Sequence, residues 1–149
     1  MRQVTPYNLW IGHRGDLRDL RPIHQAGISL LVDVAINEAP PAVNRELAYA
    51  RFPLTDGVGN EAWLIRGAVR TTADALRAGE SVMVACSMGL SRSPAIAAAS
   101  LSVGFGLPPA DAICVVSQGG ADISRALWDH ILRVLVDMPP SAAPPQSLP

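Results

Sequence analysis

The sequence contains no lysine. Its cationic side chains are twelve arginines, set against thirteen acidic residues for a formal net charge of −1. Without lysine there is no Schiff-base chemistry and no nucleotide-binding loop ending in Gly-Lys-Ser/Thr. The near-neutral balance argues against non-specific nucleic-acid binding as the main task, while leaving room for a locally positive pocket. Cysteine is also scarce. Cys86 and Cys114 match no zinc-ligand spacing and cannot build a disulfide framework, which points to a reducing compartment. Aromatic residues are 5% of the chain. Trp10, Trp63 and Trp128 are too dispersed for a base-stacking platform and are expected to pack. No apolar run approaches the length of a membrane span, and Met1 to Pro6 lacks an apolar signal core. The expectation is a cytoplasmic protein with no membrane or nucleic-acid partner. Oligomeric state leaves no mark in the sequence.

What is present has a globular balance: 149 residues, 49% hydrophobic and 17% charged. That suffices for one domain with a real core. Residues 8–12, 29–35, 48–54 and 81–85 read as strands, short apolar runs bounded by turn signals. A short helix is expected over 17–26, and a longer one over about 61–78, capped by Asn60 and stopped at Gly79. Ile65, Val69, Ala73 and Leu76 line one face of it. Further helices are expected over 92–104, from Pro108-Pro109 to Ser117, and from Asp122 or Ser124 onward, the last with an apolar stripe through Leu127, Ile131 and Val134. Cys114 is expected in the core. His24 and His130 show no sequence partner, and His13 and Arg14 read as a solvated loop near a site rim. The order predicts an α/β domain over 1–138, with a central, mostly parallel sheet of four to five strands flanked by helices. The Pro-rich segment 139–149 reads as a flexible tail.

The chemistry is concentrated in one segment, Ser81-Val-Met-Val-Ala-Cys86-Ser87-Met88-Gly89-Leu90-Ser91-Arg92-Ser93-Pro94, which reads strand, tight loop, helix. Successive loop amides at a helix N-terminus can surround one oxyanion. Gly89 permits the bend. Arg92 can return to the ring and grip two oxygens with its planar fork. Cys86 at the base of such a cradle is favoured as thiolate and is placed for in-line attack on a bound phosphate.

These residues resemble the signature loop of the protein tyrosine phosphatase superfamily, Cys-x5-Arg-Ser/Thr. Within it, Cys86-Ser-Met-Gly89-Leu-Ser-Arg92-Ser93 is most similar to the dual-specificity branch, Cys-x-x-Gly-x-x-Arg-Ser. Softer likenesses extend over about residues 8–136: Leu9 to Gly12, Gly27-Ile28 with Leu31 to Val34, and Pro53-Leu54-Thr55-Asp56. The resemblance implies a cysteine-phosphatase-like fold and hydrolysis of phosphomonoesters through a cysteinyl-phosphate, with no metal or cofactor. Cys86 would be nucleophile, Arg92 phosphate clamp, Asp56 general acid and Ser93 an aid to thiolate release. Ser87, Met88, Gly89, Leu90 and Ser91 would complete the substrate-binding loop. The expected substrate is a phosphorylated protein, or else a small phosphoester. The loop interior has no basic side chain, which weakens a polyphosphorylated inositol substrate. In one place the chain departs from the family: Ala85 stands where a histidine usually precedes the cysteine. Two other readings stay open. A rhodanese-type sulfurtransferase also uses a cysteine loop, usually one residue shorter. A catalytically dead phosphate-binding module would account for Ala85. Asp56 also fits a plain Asp-Gly turn, and Asp33 either braces the loop or caps a turn.

Overall fold

The computed structural model describes residues 1–138, so the expected tail over 139–149 lies outside the described residues. Strands β1 (Arg2–Gln3), β2 (Leu9–His13), β3 (Leu30–Ala35), β4 (Ala48–Leu54) and β5 (Val82–Cys86) form one sheet in the order β1-β2-β5-β3-β4. The last four run parallel, and β1 pairs antiparallel to β2 at the edge. β1 was not expected, because two residues are too short to carry a periodic signal. β5 enters between β2 and β3, so the chain reverses its direction of travel across the sheet there. The carboxyl end of such a strand is the usual place for a ligand crevice in an open α/β sheet.

Strands of a parallel sheet are covered on both faces, and all five residues of β5 are buried. Their alternation divides the interior. Val82, Val84 and Cys86 face a large cluster under the major helices, whereas Met83 and Ala85 face a smaller one with Leu17, Ile23, Ile28, Leu31 and Leu47. Helices α2 (Ala62–Arg77), α3 (Arg92–Phe105), α4 (Pro109–Ser117) and α5 (Arg125–Val136) contribute to the large cluster. The small cluster is covered by a 3-10 turn, Arg14–Arg18, and by α1, Arg21–Gln25. One continuous helix was expected over 17–26. It breaks because Pro22 is tolerated only in a first turn, which forces the helix to begin just before it. Asp19 is extended at the break, accepting from the Arg21 amide at 3.0 Å.

α3 is buried from Arg92 through Leu101. Its run of alanines allows close approach on every side. Gly104 lies so near α2 that a Cβ there would sit 3.2 Å from the Cβ of Ala73. α2 buries Ile65, Val69, Ala73 and Leu76 as expected, with Ala68 and Thr72 completing the face. It ends in a Schellman turn at Gly79 (φ +88°), where Gly79 N donates to Leu76 O and Glu80 N to Ala75 O. Two packing expectations fail on helical phase. Cys114 is exposed, because Ala112 and Val116 define the buried side of α4 and residue 114 lies opposite. Trp63 is exposed in the first turn of α2, away from the face led by Ile65. Trp10 and Trp128 do pack against the two clusters.

Asp33 is a brace rather than a surface cap. It is buried in β3 beside a register shift against β4, and its Oδ1 accepts from the Ala35 amide at 3.0 Å. Its Oδ2 accepts from the Tyr49 hydroxyl (2.9 Å) and Arg51 Nη1 (3.2 Å). Burial raises the Tyr49 phenol above its ordinary pKa. Arg51 opposes that shift and Asp33 reinforces it. Arg51 Nη2 then holds the loop after β3 through the carbonyls of Ala35 (3.0 Å) and Glu38 (2.7 Å). Asp33→Ala removes the carboxylate and leaves this cation and the Ala35 amide without their partner. It should cost about 2–3 kcal/mol, seen as a lower urea midpoint with an unchanged m-value.

Candidate active site

β5 delivers Cys86 to the carboxyl edge of the sheet, and α3 begins at Arg92, so the loop between them has both ends fixed by buried elements. Two of its carbonyls are bonded outward. Ser87 O accepts from Arg14 N at 3.2 Å and Leu90 O from Asp122 N at 2.8 Å. With those carbonyls engaged outside, amides are left for the interior, the arrangement that binds anions. One amide is already directed at the thiol: Gly89 N donates to Cys86 Sγ at 3.2 Å. Gly89 has φ +71°, and a Cβ there would lie 3.1 Å from the Gly12 carbonyl oxygen. Both the backbone conformation and the close pass over β2 require glycine.

Cys86 is buried, and its Sγ lies 3.2 Å from Ser93 Oγ. Ser93, in the first turn of α3, has no exposed surface. Arg92 is 7% exposed. Its Nη1 donates to Asn37 Oδ1 (2.7 Å) and Leu54 O (3.1 Å), and its Nη2 to Ser87 Oγ (2.9 Å). Among the described residues no carboxylate pairs with it. Asp56 is exposed on the loop after β4, and its Oδ1 accepts from Ser91 Oγ. The same hydroxyl accepts from Ser124 N at 2.9 Å. The structure therefore brings Cys86, Arg92, Ser93 and Asp56 together around one loop. Met88 and Leu90 have exposed side chains and belong to the loop through their backbone.

No protein-family model and no curated protein matches the sequence. Solved structures do. Human DUSP28 superposes with a TM-score of 0.79 and 24% identity, over 90% of this chain and 94% of that one. A mouse candidate dual specificity phosphatase complexed with zinc tungstate gives 0.78 and 25%, over 89% and 84%. Human tyrosine phosphatase-like serine/threonine/tyrosine-interacting protein gives 0.76 and 20%, over 91% and 95%. The chain has the fold of the dual-specificity phosphatases.

Within this fold, one supporting residue was not singled out in the sequence and others take roles different from those expected. Asn37, from the loop after β3, touches both Arg92 and Ser87 (3.0 Å to Ser87 Oγ). Asn60 was expected to cap α2, but Glu61 occupies the cap position with no side-chain bond. The Asn60 amide staples the Asp56 loop instead, accepting from Thr55 N (2.7 Å) and donating to Gly57 O (3.0 Å) and Thr55 O (3.2 Å). His130, read as partnerless, donates from Nε2 to Asn60 O at 2.8 Å. His24 also has a partner, with Nε2 lying 2.9 Å from Asn44 Nδ2. His13 pairs in register with Cys86. Its ring Nδ1 accepts from Gly15 N and caps the 3-10 turn. A sequence signal existed only for Asn60, which sits in a Gly-rich turn where an amide can satisfy loop backbone. Asn37 and His130 are long-range partners with no local signature.

Gly89→Ala should cost about 1–2 kcal/mol from the left-handed backbone alone. It should also weaken orthovanadate binding, measured by calorimetry on the folded variant. Unchanged affinity would show that the Gly89 amide does not face the anion.

Proposed function

We propose that this chain is a cysteine-dependent phosphatase that hydrolyses phosphomonoesters: phosphotyrosine, with phosphoserine and phosphothreonine as further substrates. The observation that carries the reading is one loop holding a buried thiol against an amide and a hydroxyl, next to a buried guanidinium with only neutral partners. A bound phosphate dianion would supply the missing countercharge and sit over the sulfur.

In the first step the Cys86 thiolate attacks phosphorus and forms the S–P bond as the P–O bond to the leaving group breaks. Arg92 and the loop amides hold the equatorial oxygens as their charge shifts. Asp56, in its protonated form, gives its proton to the leaving oxygen. In the second step Asp56 takes a proton from water, the water oxygen attacks phosphorus, and the S–P bond breaks. Ser93 Oγ, 3.2 Å from the sulfur, donates to the departing thiolate. The Ser91 bond to Asp56 supports this role, because it ties the acid loop to the phosphate loop.

Ala85 favours a second reading, a catalytically dead phosphate-binding module. One protein of the same fold is described as a phosphatase-like interacting protein. A sulfurtransferase is the third reading, weakened by the two residues between Gly89 and Arg92 and by the fold.

The deciding experiment is hydrolysis of p-nitrophenyl phosphate without metal. Cys86→Ser should abolish turnover yet keep vanadate binding. Turnover that survives the substitution removes Cys86 as nucleophile. Asp56→Ala should slow alkyl phosphates by about 100-fold and p-nitrophenyl phosphate far less, because a good leaving group needs no proton. An equal effect on both would exclude the acid role. A wild-type protein that binds vanadate but turns over nothing would be the binding module. Thiosulfate-to-cyanide transfer would identify the sulfurtransferase.

A further inference from the structure

Single exposed hydrophobic side chains are ordinary on a protein surface, but a group of them around a site is not. Among the described residues the large exposed hydrophobics are Ile36, Val58, Trp63, Met88, Leu90 and Val136. Four belong to the three segments that meet at Cys86. Ile36 precedes Asn37, which holds Arg92. Val58 lies in the loop stapled by Asn60, two residues from Asp56. Met88 and Leu90 flank Gly89 in the phosphate loop itself. They are 50%, 63%, 70% and 44% exposed, so each has most of a face free for contact. Met88 and Leu90 also wall an open cavity of about 230 Å³ beside the loop, together with Met1, Arg2, Ile11 and His13.

The charge in these segments is as informative as the apolar surface. Residues 36–38, 55–60 and 86–92 carry Glu38, Asp56 and Arg92 and no other ionised side chain. Glu38 faces Arg14 at 3.9 Å. No further cation in these segments could pair with a second phosphate or an acidic neighbour, and two carboxylates would repel one. A membrane surface would need basic residues beside the apolar ones to hold anionic lipid; the two at this rim are engaged, Arg14 with Glu38 and Arg2 with the carbonyls of Val116, Gln118 and Gly120.

We propose that the apolar rim selects the sequence around the phosphorylated residue: a peptide segment with large uncharged hydrophobic side chains next to it, one of them seated in the cavity walled by Met88 and Leu90. This rests on the phosphatase reading and names its substrate class. The rim excludes water around the phosphoryl group when such a segment docks, which strengthens the charge interactions inside.

The test compares kcat/KM for the wild-type protein on p-nitrophenyl phosphate and on phosphotyrosine peptides of equal length, flanked either by Leu, Ile and Phe or by Asp and Glu. The apolar set should exceed the acidic set by at least about tenfold. The double variant Ile36→Ser with Val58→Ser should lower kcat/KM for the apolar set, relative to p-nitrophenyl phosphate, by about fivefold. Equal rates on both peptide sets, with p-nitrophenyl phosphate turned over, would overturn the rim's role and leave the phosphatase reading intact. Faster hydrolysis of a monophosphorylated lipid in anionic vesicles than of any peptide would overturn it in favour of a membrane substrate. No turnover of p-nitrophenyl phosphate or any peptide would remove the phosphatase reading, and the proposal with it.

Discussion

A guanidinium buried without a carboxylate among the described residues governs this structure. Arg92 opens α3, the most buried helix, where the unpaired amides of the first turn add positive charge. Neutral acceptors satisfy its hydrogen bonds but leave its charge uncompensated, and an uncompensated buried charge is costly. Those acceptors come from three places: Asn37 after β3, Leu54 at the end of β4, and Ser87 in the loop after β5. The carboxyl ends of three parallel strands therefore converge on one cation. In the proposed reading, an anion in the loop lowers the cost for all of them at once, so that anion affinity would come from the packing and not from surface charge. A chain of net charge −1 without lysine would in this way carry the proposed phosphate site.

The loops that carry Asn37 and Asp56 are themselves held from behind. Asp33 fixes Arg51, and Arg51 fixes the carbonyls on either side of Asn37. His130 reaches from α5 to the backbone of Asn60, whose amide sets the loop that carries Asp56. Ser91 connects that loop to the start of α5 through Asp56 and Ser124 N. These polar groups lie mostly between elements far apart in the chain. They locate the side chains of the candidate site, while the apolar clusters hold the elements that carry them.

The difference between local and long-range information explains what the sequence could disclose. The four parallel strands, the helix stop at Gly79, and the Cys86–Arg92 loop are local patterns, and each was legible within a residue or two. Asp56 was reached through resemblance, and its contact with Ser91 depends on tertiary structure. Asn37, Asn60 and His130 act through partners up to 70 residues away, and a lone Asn or His has no periodicity to announce such a partner. Cys114 and Trp63 were misplaced because hydrophobic neighbours say that a helix has a buried face, whereas only its phase says which residues lie on it.

The same phase argument bears on Ala85. Side chains alternate along β5, so Ala85 points away from the thiol's face and into the small cluster with Leu17, Ile23 and Met83. Its register partner on β3 is Asp33, whose carboxylate is already taken by Tyr49, Arg51 and the Ala35 amide. An imidazole at this position would enter a packed apolar layer and compete for a satisfied acceptor, so restoring histidine alone would overpack the layer. The atoms that touch Cys86 Sγ are Gly89 N and Ser93 Oγ, both on the opposite side of the strand. Alanine therefore alters the support behind the loop and leaves the groups around the sulfur in place. The Asp33–Arg51 pair, through the carbonyls of Ala35 and Glu38 on either side of Asn37, braces the loop from the neighbouring strand.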